Sequence, residues 1–292
     1  MTNQLSQQKL HEYRAETFRT RPGTRLASPE EAVAYVNQRG YIFFWPVKGV
    51  LMPSLWTAVA GDRPVPNEHD DPGHVTWGWK DTMLGKRRWY YGRVLRKRNT
   101  FISLDLLPYF YALSPNYGDP NEDYLIDYEA GRLTAPAKQI YESLLHQGAQ
   151  DTIALRKNAG LTARTADSAF NHALDELQTT FRILPVGISE AGAWHYSFIY
   201  DIVARHYPDL IERAHPISEP QARQKLITCY LESVGAATVK DVQRMFCNQP
   251  TNWPRETLAR DLNKLEEQGE IRQEVAVEGS KEPWVAVGKI LG

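Results

Sequence analysis

One pattern occurs twice in this 292-residue chain, as LLHQGAQDTIALRKNAGL at residues 144–161 and as YLESVGAATVKDVQRMF at residues 230–246. Each copy continues into a helix-like segment, DSAFNHALDELQ from residue 167 or RETLARDLNKLEEQG from residue 255, and then into a β-prone run. The equivalent positions are Gly148 with Gly235, Asp151 with Thr238, Leu155 with Val242, Leu174 with Leu262, Leu177 with Leu265, and Ile183 with Ile271. Duplication of one module explains this long-range similarity better than chance does.

The repeated module predicts helices followed by strands. An amphipathic helix ends at a glycine, a short helix begins at the N-cap residue Asp151 or Thr238, and a longer helix has apolar residues on one face. The β-prone runs that follow are residues 181–188 with 194–199, and residues 271–277 with 284–287. Helix, helix–turn–helix and a two-stranded wing is the order of a winged helix. We therefore predict a mainly α fold with small β wings (α+β), built of tandem winged-helix modules.

The predicted domain organisation follows from these two modules. They occupy residues 133–210 and 211–292, and a linker rich in Pro, Gly and Asp precedes them at residues 116–132. Residues 1–115 form a less regular N-terminal region, within which residues 25–104 are compatible with a degenerate third winged helix. Its predicted helices and strands cover residues 5–18, 29–39, 88–95 and 100–104.

Composition excludes several classes of protein. With 42% hydrophobic and 24% charged residues, the chain has the composition of a globular protein and not of a disordered one. No apolar run approaches the ~20 residues of a membrane span, and the polar N-terminus lacks a signal-peptide core, so we expect a cytoplasmic protein. The two cysteines form no CxxC and no Cys/His ligand spacing, which argues against a disulfide framework and a metal site. We expect no cofactor, and a monomer is compatible with the sequence.

The formal net charge of -1 conceals an uneven distribution. Residues 1–100 contain 16 basic and 9 acidic side chains, whereas residues 101–292 contain 18 basic and 26 acidic ones. An anionic partner is therefore expected to contact the N-terminal third of the chain.

The segment WGWKDTMLGKRRWYYGRVLRKR at residues 77–98 is the densest basic and aromatic feature, with a single acidic residue. Lysine and arginine neutralise phosphates and flat rings stack on bases, so this composition favours a nucleic-acid surface. The predicted DNA-binding residues are Lys80, Lys86, Arg87, Arg88, Arg93, Arg96, Lys97 and Arg98. The predicted pocket or stacking residues are Trp45, Trp77, Trp79 and Tyr90. The alternative is a solvated basic strand whose aromatic side chains alternate into the core.

The helices in the recognition position have the opposite tendency. Residues 165–180 contain no lysine or arginine, and residues 254–268 contain three basic side chains against four acidic ones. A helix between two rows of phosphates normally carries a basic bias. The duplicated modules are therefore predicted to act as a frame instead of as readers of sequence.

Candidate catalytic residues are few. Asp81 lies between tryptophans and the basic run, where it could act in an aromatic pocket or simply form a salt bridge with Lys80. Lys48 follows an apolar run, so a partly buried amine could act as nucleophile or base, whereas the alternative is a surface lysine with its stem along the protein. The common nucleotide-binding, serine-hydrolase and zinc-protease motifs are absent from the sequence.

The sequence resembles the winged-helix DNA glycosylases of the AlkZ/YcaQ type. The resemblance is carried by AQDTIALRKNAGL from residue 149, ALDELQ from residue 173, ILPVG from residue 183 and ARQKLITCYLESVGAATVKDV from residue 222. It covers residues 130–290 well and the N-terminal third more loosely, through RGY at residue 39 and PSLWTAV at residue 53. In that family tandem winged helices hold DNA in a concave architecture, and the enzymes excise bulky alkylated purines, including some within interstrand crosslinks.

The family's catalytic motif, Gln-x-Gln or Gln-x-Asp, occurs nowhere in this chain, and the corresponding place reads Trp45-Pro46-Val47-Lys48. No catalytic residue is therefore carried over. The resemblance implies a protein associated with DNA repair that binds double-stranded DNA. Two alternatives stay open: an active, divergent glycosylase that releases a bulky alkylated base, and a non-enzymatic winged-helix regulator or scaffold that binds a protein or small molecule.

Overall fold

The structure is a computed structural model, which describes residues 4–116, 118–192, 195–248 and 251–291. A first helix, α1 (Gln7–Thr17), precedes a group of six elements that we call unit 1. Unit 1 consists of α2 (Pro29–Arg39), β1 (Tyr41–Phe43), α3 (Leu55–Ala60), α4 (Val75–Met83), β2 (Tyr90–Arg93) and β3 (Asn99–Ile102). Two short helices, α5 (Leu107–Tyr111) and α6 (Asp123–Glu129), lead to the next unit.

Units 2 and 3 correspond to the two sequence repeats. Unit 2 consists of α7 (Ala135–Gln147), β4 (Gln150–Asp151), α8 (Thr152–Asn158), α9 (Asp167–Thr179), β5 (Ile183–Ser189) and β6 (Ser197–Ile202). The helices α10 (Val203–His206) and α11 (Leu210–Ala214) connect it to unit 3. Unit 3 consists of α12 (Glu219–Val234), β7 (Ala236–Thr238), α13 (Val239–Phe246), α14 (Arg255–Glu267), β8 (Ile271–Val275) and β9 (Trp284–Val287), and α15 (Gly288–Leu291) follows it.

The three units share one topology. Each contains one antiparallel three-stranded sheet in which the third strand lies between the other two, in the orders β1-β3-β2, β4-β6-β5 and β7-β9-β8. The predicted α+β fold is confirmed, and the predicted element order is present in both repeats and again in the N-terminal region. The winged-helix assignment of the units stays an interpretation of this order, and the domain boundaries stay a prediction.

Local sequence signals set the element ends. Asp151 accepts hydrogen bonds from the amides of Ile153 and Ala154, and Thr238 accepts one from the amide of Asp241, so both predicted N-caps are present. Gly148 and Gly235 end α7 and α12 with φ of 83° and 77°, a conformation that glycine adopts without the steric penalty of other residues. The run predicted from residue 194 forms a strand from Ser197; Trp194 itself lies outside the described residues.

Units 1 and 3 share a hydrophobic core although they lie far apart in sequence. One buried cluster extends from Leu5 through Tyr41 of β1 to Ile290 of α15. The Tyr41 hydroxyl donates a 2.9 Å hydrogen bond to the carbonyl oxygen of Leu226 in α12. This shared core brings the loop after β1 next to unit 3. Among the described residues, no helix combines the length and apolarity needed to cross a bilayer.

Candidate nucleic-acid interface

The loop after β1 and the β2–β3 turn enclose a cleft of about 690 Å³. Its lining residues are Trp45, Pro46, Val47, Lys48, Arg93, Arg96, Lys97, Arg98, Asn99 and Asp175. In this turn Arg96 and Lys97 adopt left-handed backbone conformations, with φ of 53° and 54°. Left-handed backbone is unfavourable for residues with a side chain, by about 1 kcal/mol each, and here it places consecutive basic side chains along one edge.

A second cleft, of about 610 Å³, continues the first toward unit 3. It is lined by Lys48, Gly49, Arg96, Lys240, Gln243, Arg244, Cys247, Asn248 and Arg255. Because Lys48 and Arg96 line both clefts, the two form one groove, which we call the basic trough. Its basic side chains are Lys48, Arg93, Arg96, Lys97, Arg98, Lys240, Arg244 and Arg255. Asp175 is the one acidic residue among the described residues that line it.

Hydrogen bonds join the two walls of the basic trough. Nη1 of Arg96 donates to the carbonyl oxygen of Arg244 at 2.6 Å, and Nη1 of Arg244 donates to the carbonyl oxygen of Gly49 at 3.0 Å. On the unit 2 side, Arg93 forms an ion pair with Asp175 and its amide donates to Oε1 of Gln178 at 3.2 Å. The trough is therefore built from residues of all three units.

The sequence-predicted residues divide into three groups. Trp45, Lys48 and the basic residues of the β2–β3 turn line the basic trough, as does Arg93. Lys86, Arg87 and Arg88 are exposed on the turn between α4 and β2 but do not line it. Lys48 is exposed, as in the surface alternative that the sequence allowed. Trp77, Trp79 and Asp81 lie on α4 and do not line either of the two clefts that contain Lys48.

The predicted DNA contact of Lys80 is wrong, because its side chain is completely buried. Nζ lies 2.6 Å from Oδ1 of Asp81 and donates to the Tyr196 hydroxyl at 2.8 Å. Four rings surround the ammonium group, those of Trp77, Tyr91, Tyr196 and Phe198, at 4.5 to 5.6 Å from their centroids. Burial lowers the pKa of Lys80, and the hydrogen bond and charge of Asp81 act in the opposite direction. Asp81 thus holds Lys80, which is the alternative that the sequence allowed.

The predicted stacking residues have different environments. Tyr90 is fully buried against Phe181, with ring centroids 5.2 Å apart, so its predicted stacking on bases is wrong. Trp45 is half-buried at the trough, and its ring contacts those of Phe44 and Trp56 at centroid distances of 4.4 and 5.2 Å. Trp77 is 41% exposed outside the trough. Among the four predicted stacking residues, Trp45 is therefore the one that lines the basic trough.

Sequence reasoning missed the contribution of unit 3. Lys240 and Arg244 lie one helical turn apart on α13, and Arg255 begins α14. The i, i+4 spacing of the two basic residues was a usable signal for a charged helix face. In the sequence, Asp175 belongs to the predicted recognition helix without basic residues, and nothing in that pattern indicates a place in the cleft. Within the described part of the chain, no three His, Cys, Asp or Glu side chains come together as metal ligands.

Comparison with known proteins agrees with the predicted resemblance. Residues 26–247 match the family model described as AlkZ related. The solved structure of the DNA glycosylase AlkZ from Streptomyces sahachiroi is similar with a TM-score of 0.62 and 12% sequence identity, over 98% of this chain and 71% of that chain. Comparison with curated protein sequences gives no significant match. Since the family model covers most of the chain, this protein belongs to the AlkZ-related family.

Proposed function

We propose that this protein binds double-stranded DNA along the basic trough and acts in DNA repair, as a relative of the alkylpurine DNA glycosylases. The observation that carries the proposal is the charge of the trough: eight basic residues and one acidic residue line two continuous clefts. Clustered cations bind the DNA backbone by neutralising phosphates and releasing counterions. Membership of the AlkZ-related family supports the same partner.

The positions of the recognition helices support this mode of binding. α9 packs against β2 through Gln178, which is buried, and its acidic side chains Asp175 and Glu176 bond to Arg93 and Thr134. On α14, the buried Asp261 bonds to Arg223. The pair of Asp175 joins unit 2 to unit 1, whereas the bonds of Glu176 and Asp261 lie within units 2 and 3, so these carboxylates act inside the protein.

The proposal is tested by measuring the affinity for duplex DNA at several salt concentrations. Substituting Lys48, Lys97 and Arg98 together by alanine is expected to reduce the slope of log K against log salt by about 2 to 3, since each phosphate contact contributes ~0.9. The matched control replaces three exposed lysines that do not line the trough, Lys225, Lys264 and Lys289. A Lys86/Arg87/Arg88→Ala variant is expected to weaken binding less than the trough variant does.

Absence of salt-dependent binding by the wild-type protein would refute the proposal. Equal losses in the trough and control variants would show that net charge alone, and not the trough, determines affinity.

An active, divergent DNA glycosylase is the second candidate function, and one observation favours it. The cleft beside Trp45 contains a carboxylate, that of Asp175, although the family's glutamine motif is missing from residues 45–48. Incubation with duplex DNA that carries an N7-alkylated purine, followed by detection of the released base, distinguishes an enzyme from a protein that only binds.

A further inference from the structure

Asp175 opposes the charge of its surroundings. It lines the cleft of about 690 Å³ together with Lys48 and the four basic residues of β2 and the β2–β3 turn. A carboxylate in a groove that binds phosphates repels the ligand and lowers its affinity. The carboxylate therefore does not contribute to affinity for DNA, and its contacts indicate a different role.

The position of Asp175 is fixed by a rigid support. It belongs to α9, a helix of 13 residues whose other face buries Phe170, Leu174 and Leu177. The guanidinium of Arg93 binds Oδ1 of Asp175, and the Arg93 amide is in turn bonded to Gln178, one helical turn further along α9. One carboxylate oxygen is thus held by Arg93, which leaves Oδ2 to accept a proton from another group. Such fixed orientation is what a proton acceptor in an active site requires.

The surroundings of Asp175 suit a nucleotide. The side chain is 23% exposed, so it is held in place and still accessible from the cleft. A volume of about 690 Å³ lies within the range of small-molecule sites. Trp45 offers a ring on which a base can stack, and the cations offer partners for its phosphates.

We propose that Asp175 is a catalytic residue that accepts the proton of a water molecule attacking C1′ of a nucleotide bound in this cleft. The inference rests on the proposed function, since it needs DNA in the basic trough. In the reaction, the C1′–N9 bond of a purine breaks and its electron pair stays on N9, so a cationic alkylpurine leaves as a neutral base. The sugar becomes an oxocarbenium ion, which the carboxylate stabilises. Water then adds to C1′, its proton passes to Asp175 and on to solvent, and a hydroxyl remains on C1′.

A purely structural ion pair between β2 and α9 would behave differently. The Arg93 side chain is 46% exposed, and exposed pairs contribute little to stability. If Asp175 formed only this ion pair, Asp175→Asn would still strengthen DNA binding by removing a negative charge, but the bound protein would excise base at the wild-type rate. A catalytic role separates these readouts: removing the negative charge strengthens DNA binding while it slows excision.

The experiment compares wild type, Asp175→Asn and Asp167→Asn. Asp167 is the matched control, because it lies on the same helix and also pairs with an arginine, Arg156, but does not line the trough. Affinity for undamaged duplex DNA and release of base from duplex DNA with an N7-alkylated purine are measured for each. We expect Asp175→Asn to bind roughly threefold more tightly and to release base at least about 100-fold more slowly, with Asp167→Asn like wild type.

Excision by Asp175→Asn at the wild-type rate would overturn the inference. So would a wild-type protein that binds duplex DNA but releases no base, and in that case the proposed binding function would stand. Failure of the wild-type protein to bind DNA at all would instead remove the proposed function and this inference with it.

Discussion

Nη1 of Arg96 in unit 1 donates a 2.6 Å hydrogen bond to the carbonyl oxygen of Arg244 in unit 3, 148 residues further along the chain. Arg244 in turn reaches back to the carbonyl oxygen of Gly49. These two bonds use guanidinium groups, which carry several donors in a fixed geometry, to fasten one wall of the basic trough to the other. Each arginine keeps its charge at the groove while it forms the bond, so assembly of the trough and its positive potential depend on the same side chains.

The contribution of unit 3 to DNA binding can be measured separately. Replacing Lys240 and Arg255 by alanine is expected to reduce the salt slope by about 2 and to weaken binding to any sequence, since both are expected to contact phosphates. Lys264→Ala/Lys289→Ala, which removes the same charge from outside the trough, serves as the control. An unchanged slope in the Lys240/Arg255 variant would show that neither residue contacts a phosphate.

Trp45 is expected to act on an unpaired base. A Trp45→Leu variant should lose about tenfold in affinity for a duplex with a single extrahelical base, because stacking of a base on an aromatic ring is worth ~1–3 kcal/mol. Binding to a perfect duplex should change little. Trp79→Leu is the control, since Trp79 is also half-buried but lies on α4, outside the trough. Equal losses for both duplexes would mean that Trp45 supports the fold and not the ligand.

Lys80 should make folding stability depend on pH. Burial lowers its pKa, despite the opposing influence of Asp81, so the unfolded chain holds this proton more tightly than the folded chain does. Stability then rises with pH from the folded pKa up to the unfolded one. As pH rises toward the unperturbed lysine pKa of about 10.4, the free energy of unfolding of wild type should therefore rise relative to that of Lys80→Met.

The same lysine should be needed for stability at neutral pH. Lys80→Met leaves the carboxylate of Asp81 without its 2.6 Å partner, and removing one member of a buried ion pair costs about 3–5 kcal/mol. The double variant Lys80→Met/Asp81→Asn should recover part of this loss. Denaturant unfolding of wild type, Lys80→Met, Asp81→Asn and the double variant measures the coupling, and additive losses would contradict it.

Gly85 should tolerate no side chain. Its φ is 73°, and a Cβ atom there would lie 2.5 Å from the backbone carbonyl oxygen of Val186 in β5. We expect Gly85→Ala to destabilise the protein by about 2 kcal/mol or more, because neither backbone segment can yield easily. Gly131→Ala is the control, with φ of 71° and no atom within 4 Å of its added Cβ, so its loss should be about 1 kcal/mol. Similar losses for the two variants, measured by denaturant unfolding, would show that the close contact with β5 has no effect.

Local periodicity explains why the repeats could be predicted. Leu174 and Leu177 occupy one face of α9, and both are buried. Their counterparts Leu262 and Leu265 are buried on α14, so spacing within one helix was sufficient to identify the pattern. An N-cap such as Asp151 bonds to amides only two and three residues away, so it can also be predicted from local sequence.

Burial of a charged residue could not be predicted in this way. The rings that enclose Lys80 include those of Tyr196 and Phe198, which belong to unit 2 and lie more than a hundred residues away in sequence. The alternation of residues 89–91 places Tyr90 on a different face from Trp89 and Tyr91. All three are buried, because one face packs in the core of unit 1 itself and the other in the core that it shares with unit 3.

The basic trough was predictable only in part. The turn residues Arg96 to Arg98 are adjacent in sequence, and their charge was evident. Lys240 lines the same groove because units 1 and 3 share a core, and no local sequence pattern predicts that packing. The position of Asp175 in the cleft could not be predicted from the sequence, because it depends on how α9 packs against β2.

The first helix gives the chain an order of assembly. Leu5 forms a parallel bridge with Val277, and the Arg14 guanidinium donates to the carbonyl oxygens of Val234 and Ala236 at 3.0 and 2.8 Å. These partners lie at least 220 residues further along the chain, and long-range contacts of this kind form slowly. Until unit 3 has been synthesised and has folded, α1 and the unit 1 side of the shared core stay exposed, so the nascent chain presents apolar surface that a chaperone or another chain can bind.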